Sequence, residues 1–353
     1  MTTKSPTAVD PHSVERPNRR SVPGRVSAFA LACVIAGCEG SGASGGDAAG
    51  RADGPTASSA SAEPSAPVGP SAIVEAAASA SALGGLRFAP LARVTAESQG
   101  LLTGSLAGEP AVSVLLHLST TEQPLADRSP IAYFRLAQLL APGLVPDTVL
   151  RGFTLGELSA AAKDEATRRR LRRDARALAD GKVRAAVVKA PPPTALRVDV
   201  ADLTQGGRTW GWENQLVARR PVEHDAELLA SYQALLAVDY IAGNLNRRHA
   251  RIDPGSQRLV AVEDNEVFSA HGVEGAVGDG FQRFSRFMVY SAELAERLSA
   301  LQRDALERSL SDGGENLVTP KQIEEMLSRG QSLRKIVDTR IERRGRARAL
   351  ALP

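Results

Sequence analysis

The sequence predicts an α+β body in two lobes, strand-rich first and helical last, set behind an export signal and a tether. Three observations predict it. Short β-rich apolar runs are concentrated before about residue 200, stretches with helical apolar spacing dominate after it, and composition changes abruptly at "LRFAPLARV", residues 86–94. The 353 residues, 43% hydrophobic and only 4% aromatic, suffice for one large domain or two small ones. The net charge of +3 is spread along an arginine-rich chain. Nucleic-acid binding needs basic groups clustered on one face, so none is expected.

The first 37 residues read as a targeting segment. Arg16, Arg19, Arg20 and Arg25 form a positive region, and "VSAFALACVIA" (Val26 to Ala36) is an apolar run too short to span a bilayer. The run ends in "VIAGC", which resembles the lipobox of bacterial lipoproteins and implies lipid on Cys38; an ordinary cleaved signal is the alternative. Cys33 and Cys38 are the two cysteines of the chain, so the exported body has no intramolecular disulfide. Residues 38–83 are Gly, Ala, Ser and Pro with almost nothing large and apolar. Such a segment cannot offset its conformational entropy by burial and reads as a flexible tether.

Within the body, residues 84–190 form the expected first lobe and 191–353 the second. "AVSVLLHL" after the turn "AGEP" is the second strand of a hairpin. "IAYFRLAQLL" puts Ala132, Leu136, Leu139 and Leu140 on one helical face, and "GLVPDTVL" returns as a strand. "TLGELSAAAKDEATRRRLRRDARALAD" reads as one long polar helix, and "KVRAAVVKA" as a strand ended by three prolines. In "TWGWEN", Trp210 and Trp212 at alternate positions would share one strand face. "DAELLASYQALLAVDYIAGN" is a helix ending near Gly243, and strand-like "RLVAVEDN" follows the turn "DPGS". Near the end, Thr319, Pro320 and Gln322 spell a capping box, with Gly330 and Gly345 as C-terminal glycines of two consecutive helices. No internal repeat is present.

The chemistry-bearing stretch is helix, "GNLNRRH", turn, strand, "VEDNEVF". This order and wording resemble the atypical kinases, namely the secretory-pathway Golgi casein kinase and four-jointed type and, more distantly, phosphoinositide-type and HipA-type kinases. Asp239, Tyr240, Gly243, Asn244, Arg247 and His249 match the family's "DYxxGNxDRH"-like loop, and Asp264, Asn265 and Phe268 its metal-binding strand end. "SPIAYFRLAQLLAPGLVPDTVL" and the closing "RIERRGRARALAL" extend the resemblance over about residues 90 to 350. The resemblance implies a two-lobed kinase-like fold, with a small strand-rich first lobe and a helical second one. It also implies ATP with Mg or Mn as cofactor, Asp264 as metal ligand, and Asp239, Gly243, Asn244 and His249 as loop structure.

Departures from the pattern weigh as much. Phosphoryl transfer needs a lysine held by a helix glutamate, a carboxylate near the acceptor hydroxyl, and a metal-holding carboxylate with a partner. Asn246 replaces the catalytic aspartate, and an amide cannot accept a proton. Pro130 stands at the glutamate position, His117 at the lysine position, and Arg251 where some members carry a metal-binding amide or acid; the glycine after the metal aspartate is missing.

Plainer readings stand beside these. "GNLNRRH" also fits an exposed turn capped by Gly243 and Asn244, Asp264 a strand-end turn aspartate, and His117 a packed strand histidine. "RRRLRRDAR" (Arg168 to Arg176) is the solvated face of a helix or, in a tethered protein, an attraction to anionic headgroups. "AHGVEGAVGDG" lacks the ending of a P-loop. No HExxH or CxxC pattern and no Ser-His-Asp set is legible.

The reading that follows is an exported, lipid-anchored protein of the bacterial cell envelope, periplasmic or surface facing, held to a membrane through Cys38. Its kinase-like domain is a pseudokinase that binds a ligand or a protein partner. One alternative is an active phosphotransferase using Asp264 with Lys182 or Lys189; the other is a structural or adhesive lipoprotein with no ligand and no cofactor.

Overall fold

The computed structural model describes residues 83–98, 100–218, 222, 224–244, 247–262, 267–268 and 277–353. After a helical segment over 83–88 (α1), three strands form an antiparallel meander: β1 (Leu91–Ser98), β2 (Leu101–Leu106) and β3 (Val112–Leu118). Helix α2 (Arg128–Leu140) leads to β4 (Thr148–Thr154), helices α3 (Leu155–Ala161) and α4 (Glu165–Asp174), and β5 (Lys182–Lys189). The five strands make one antiparallel sheet in the order β1-β2-β3-β5-β4.

The rest is mainly helical: β6 (Leu196–Asp199), α5 (Arg208–Val217), α6 (Ala226–Ala242), β7 (His249–Ile252), β8 (Leu259–Val260), α7 (Val277–Arg286), α8 (Ala292–Ala300) and α9 (Arg303–Ser309). A short hairpin of β9 (Ser311–Asp312) and β10 (Glu315–Asn316) precedes α10 (Pro320–Arg344) and α11 (Arg346–Ala349). Strands β6, β7 and β8 form a small antiparallel sheet. The result is the expected α+β architecture, a strand lobe followed by a helical lobe.

Two apolar cores hold it. One face of the large sheet, with Val114, Leu116, Leu118, Phe153, Val183 and Val187, packs on Leu158 of α3 and Leu171 of α4. The second core joins α5, α6, α8 and α10 and takes in the buried face of α2. Helix α2 therefore packs into the helical core although the sequence places it among strands. Its Ile131, Tyr133 and Leu136 are at most 2% exposed.

Several local expectations are corrected. The long polar helix is two helices, because Ala162 and Lys163 turn to the sheet edge, where the Lys163 N–H donates to Val94 O (2.9 Å). Asp164 then caps a fresh helix by accepting from the Thr167 N–H (2.7 Å), while Thr154 and Glu157 form a capping box at the start of α3. The arginines of α4 are largely tied to Glu165 and Asp174. "TWGWEN" is helical, not extended. Two residues apart on a helix point in different directions, so Trp212 is buried against Tyr232 at 5.4 Å between ring centroids and Trp210 is exposed.

The Thr319 capping box and the Gly345 terminus lie where the sequence puts them, with Gly345 at φ 80°. Gly330 does not end a helix. It sits inside α10, whose Ile323, Met326, Gly330, Leu333 and Val337 form the buried stripe. A Cβ at Gly330 would lie 2.7 Å from Leu301 Cδ2, so the glycine is there for close packing. Gly330→Val overpacks this contact and is expected to lower stability by about 1–3 kcal/mol in urea unfolding.

Candidate functional site

The loop after α6 is built around one carboxylate. Asp239, in the last turn of α6 and 7% exposed, accepts hydrogen bonds from Tyr133 Oη of α2 (2.7 Å), Asn244 Nδ2 (2.8 Å), and Arg247 Nε (2.5 Å) and Nη2 (3.1 Å). Arg247 Nη2 also donates to Tyr133 Oη (3.1 Å), and Nη1 to Val262 O (3.3 Å) in the chain that continues β8. Gly243 ends the helix at φ 70°, where the Asn244 N–H returns to Asp239 O (2.8 Å). A Cβ there would also meet Arg329 Nη1 at 2.9 Å. Asn244 and Arg247, on either side of residues 245–246, are thus both bound to Asp239.

His249 opens β7 opposite Asp199 of β6, and its Nδ1 is buried without a hydrogen-bond partner. The His249 carbonyl accepts from Arg247 Nη1 (3.5 Å). Arg251, two residues on, donates to Ala195 O (3.4 Å). Asn246, Asp264 and Cys38 lie outside the described residues.

The inner face of the large sheet, opposite the α3–α4 core, carries His117 and Ser119 from the β3 end and Arg184, Ala186 and Val188 from β5. His117 is buried, 6% exposed. Lys182 and Lys189 lie at the two ends of β5 and are exposed. The cation within the strand is Arg184. Its Nε donates to Asp127 Oδ2 at the head of α2, and its Nη1 pairs with Glu315 Oε2 of β10 (2.5 Å). Burial pulls the Arg184 guanidinium down, but the charges and hydrogen bonds of Asp127 and Glu315 outweigh it and hold its pKa above the ordinary value.

Asp127 is fully buried, accepts from Ser119 Oγ (2.5 Å), and makes no cap to its own helix. Arg128 adds a second arginine on Glu315, and Arg135 binds Asp312 and the Ser311 carbonyl. A helix-to-sheet ion pair is therefore present, with the acid three residues before Pro130 and the base on β5 instead of β3. Little in the sequence points to it. Asp127 looks like an N-cap, and Arg184 stands in a strand buried on both faces, where alternation vanishes. Among the described residues no three His, Cys, Asp or Glu side chains come together as a metal site requires.

No family model and no curated protein matches the chain. Solved structures do. A structure of hydra Fam20 with sugar superposes with a TM-score of 0.56 at 15% identity, over 75% of this chain and 89% of that one. The Golgi casein kinase with Mn/ADP bound gives 0.55 at 13% identity, over 77% and 78%, and a further Golgi casein kinase structure gives 0.56 at 13%. The fold is that of these secretory kinases. In this kinase-like fold, Asp239 and Arg247 set the loop after α6, and Asp127 with Arg184 ties α2 to the sheet.

Removing one partner of a buried, hydrogen-bonded charge leaves the other uncompensated. Asp239→Ala is expected to cost about 3–5 kcal/mol of unfolding free energy, and Tyr133→Phe about 1 kcal/mol, measured by denaturant titration.

Proposed function

We propose that the chain is an exported lipoprotein of a bacterial cell envelope whose kinase-like domain is a pseudokinase, binding a ligand or protein partner without transferring phosphate. The observation that carries the reading is the pairing of Arg184. With Asp127 and Glu315 on its guanidinium, the mid-strand cation is already compensated inside the protein and is not left to compensate a nucleotide's phosphates. Asn246 at the position of the catalytic aspartate supports the same conclusion, because an amide has no basic lone pair for the acceptor proton. ATP with Mg or Mn is the ligand to try first, since a Golgi casein kinase of this fold holds Mn/ADP. Asp264 is the residue assigned to the metal.

A second reading has one observation in its favour. The helix-to-sheet ion pair survives in kind, as Asp127 with Arg184, and such a pair belongs to the working parts of a kinase. A rearranged site with Asp264 and metal would then still transfer phosphate.

Thermal unfolding of the full chain with and without ATP and Mn²⁺, paired with a radiolabel transfer assay, separates the two. The expected result is a stabilisation by ATP and Mn²⁺, about 2.7 kcal/mol at a hundredfold excess over Kd, lost in Asp264→Ala and accompanied by no transfer. Transfer abolished by Asp264→Ala would establish the second reading instead. For the anchor, Cys38→Ser is expected to release the protein from the membrane fraction and to abolish incorporation of labelled palmitate.

A further inference from the structure

The small sheet at the start of the helical lobe carries an arrangement that a folded protein does not leave without compensation. In the antiparallel register of β6 and β7, Arg197 stands directly opposite Arg251, and Asp199 directly opposite His249. Residues opposite one another in such a pair share a face, with Cβ atoms about 5 Å apart. The alternate positions Val198, Ala250 and Ile252 are buried in the helical core, and the Leu259 N–H of β8 donates to Ser231 Oγ of α6 (2.9 Å). The sheet therefore rests on α6, and Arg197, Arg251, Asp199 and His249 share the face turned away from it.

On that face two arginines stand opposite one another across the strands, a like-charge pair that is destabilising in the absence of a counter-charge. Neither has a carboxylate partner in ion-pair range among the described residues. Arg251 makes one long bond, to the Ala195 carbonyl (3.4 Å), and Arg197 is exposed. Asp199, the carboxylate in register beside them, turns back to accept from the Ala201 N–H (2.9 Å). This differs from four arginines near the lobe junction, Arg128, Arg135, Arg184 and Arg247, each of which is paired with an acid. A further group on the same face is also unsatisfied, the buried Nδ1 of His249.

We infer that Arg197 and Arg251, with His249 beside them, form a binding site for a phosphate-bearing ligand, a phosphate monoester or a diphosphate. A guanidinium fork matches the oxygens of a phosphate, and a dianion bound by both arginines converts the repulsion into two charge-assisted contacts. Because guanidinium groups supply the charge, this site takes its ligand without a divalent cation. The inference stands on the register and unpaired charges of this sheet, and holds whichever reading of the domain's chemistry is correct.

The experiment titrates the full chain with inorganic pyrophosphate, and separately with ATP, in excess EDTA at low ionic strength, followed by calorimetry and thermal unfolding. Pyrophosphate is expected to bind and raise Tm, and Arg197→Gln and Arg251→Gln each to weaken it by about tenfold or more. Without ligand, both substitutions are expected to raise Tm, because they remove the opposed charges. A structural arginine would do the reverse. ATP binding tighter than pyrophosphate would place the phosphate of a nucleotide here, and equal binding a site that reads phosphate alone; both support the assignment. No binding in EDTA, binding indifferent to both substitutions, or a lowered ligand-free Tm in both variants would overturn it. ATP binding that requires Mn²⁺, is lost in Asp264→Ala and is untouched by Arg197→Gln would overturn this site while leaving the pseudokinase reading intact.

Discussion

A single buried carboxylate organises the junction of this molecule. Asp239 belongs to the last turn of α6, where the helix C-terminus repels negative charge, and it is almost wholly removed from water. Both features raise the cost of an anion there. That cost is offset by Tyr133, Asn244 and Arg247, which occupy both oxygens from three directions. Since those donors come from α2 and from both sides of the loop after α6, the position of α2, the end of α6 and the path of the loop are determined together. Arg247 then carries the constraint on to Val262.

The dual membership of α2 follows from this arrangement. A helix lying between two strands of one sheet would normally bury its apolar stripe against that sheet. Here the outer face of the sheet belongs to α3 and α4, and the stripe of α2 enters the helical core. Its polar side is held by charge: Asp127 reaches Arg184 of the sheet, while Arg128 and Arg135 reach Glu315 and Asp312 of the β9–β10 hairpin. Strand lobe and helical lobe are thus joined through α2 as well as through the chain after β5. Partly buried ion pairs of this kind add less to stability than to the choice of one geometry.

Much of the architecture was legible because it rests on local rules. The turn "AGEP", the helix end at Gly243, the capping box at Thr319 and the terminus at Gly345 each express a conformational preference that tertiary contacts do not reverse. The misread elements are those where a neighbour intervened. Backbone pairing of Lys163 with the sheet edge broke a helix that composition alone would continue. Burial of Trp212 against Tyr232 made a helix of a segment whose alternating tryptophans looked like a strand. Gly330 read as a stop because its partner, Leu301, is distant in sequence. For the candidate site, Gly243 and Asn244 were legible as a helix end, and Asp239 and Arg247 through the resemblance of the loop to that of the atypical kinases. The Asp127–Arg184 pair was not, since its members are separated by 57 positions and neither stands in a motif.

An arginine as the mid-strand cation of β5 has consequences beyond charge. A lysine ammonium is a compact point charge that one helix carboxylate can hold while a ligand oxygen approaches from another side. A guanidinium is a flat fork with donors in fixed directions, and in Arg184 two of those directions are already taken by Asp127 and Glu315. The first contact keeps the mechanical duty of a helix-to-sheet pair. The second ties the sheet to the helical lobe. Both draw on the donors that a phosphate would need, so the structural role and the phosphate-binding role compete for one side chain. Arg197 and Arg251 on the small sheet face no such competition. The arginine that ties α2 to the large sheet and the arginine pair inferred to meet a phosphate therefore sit on different sheets.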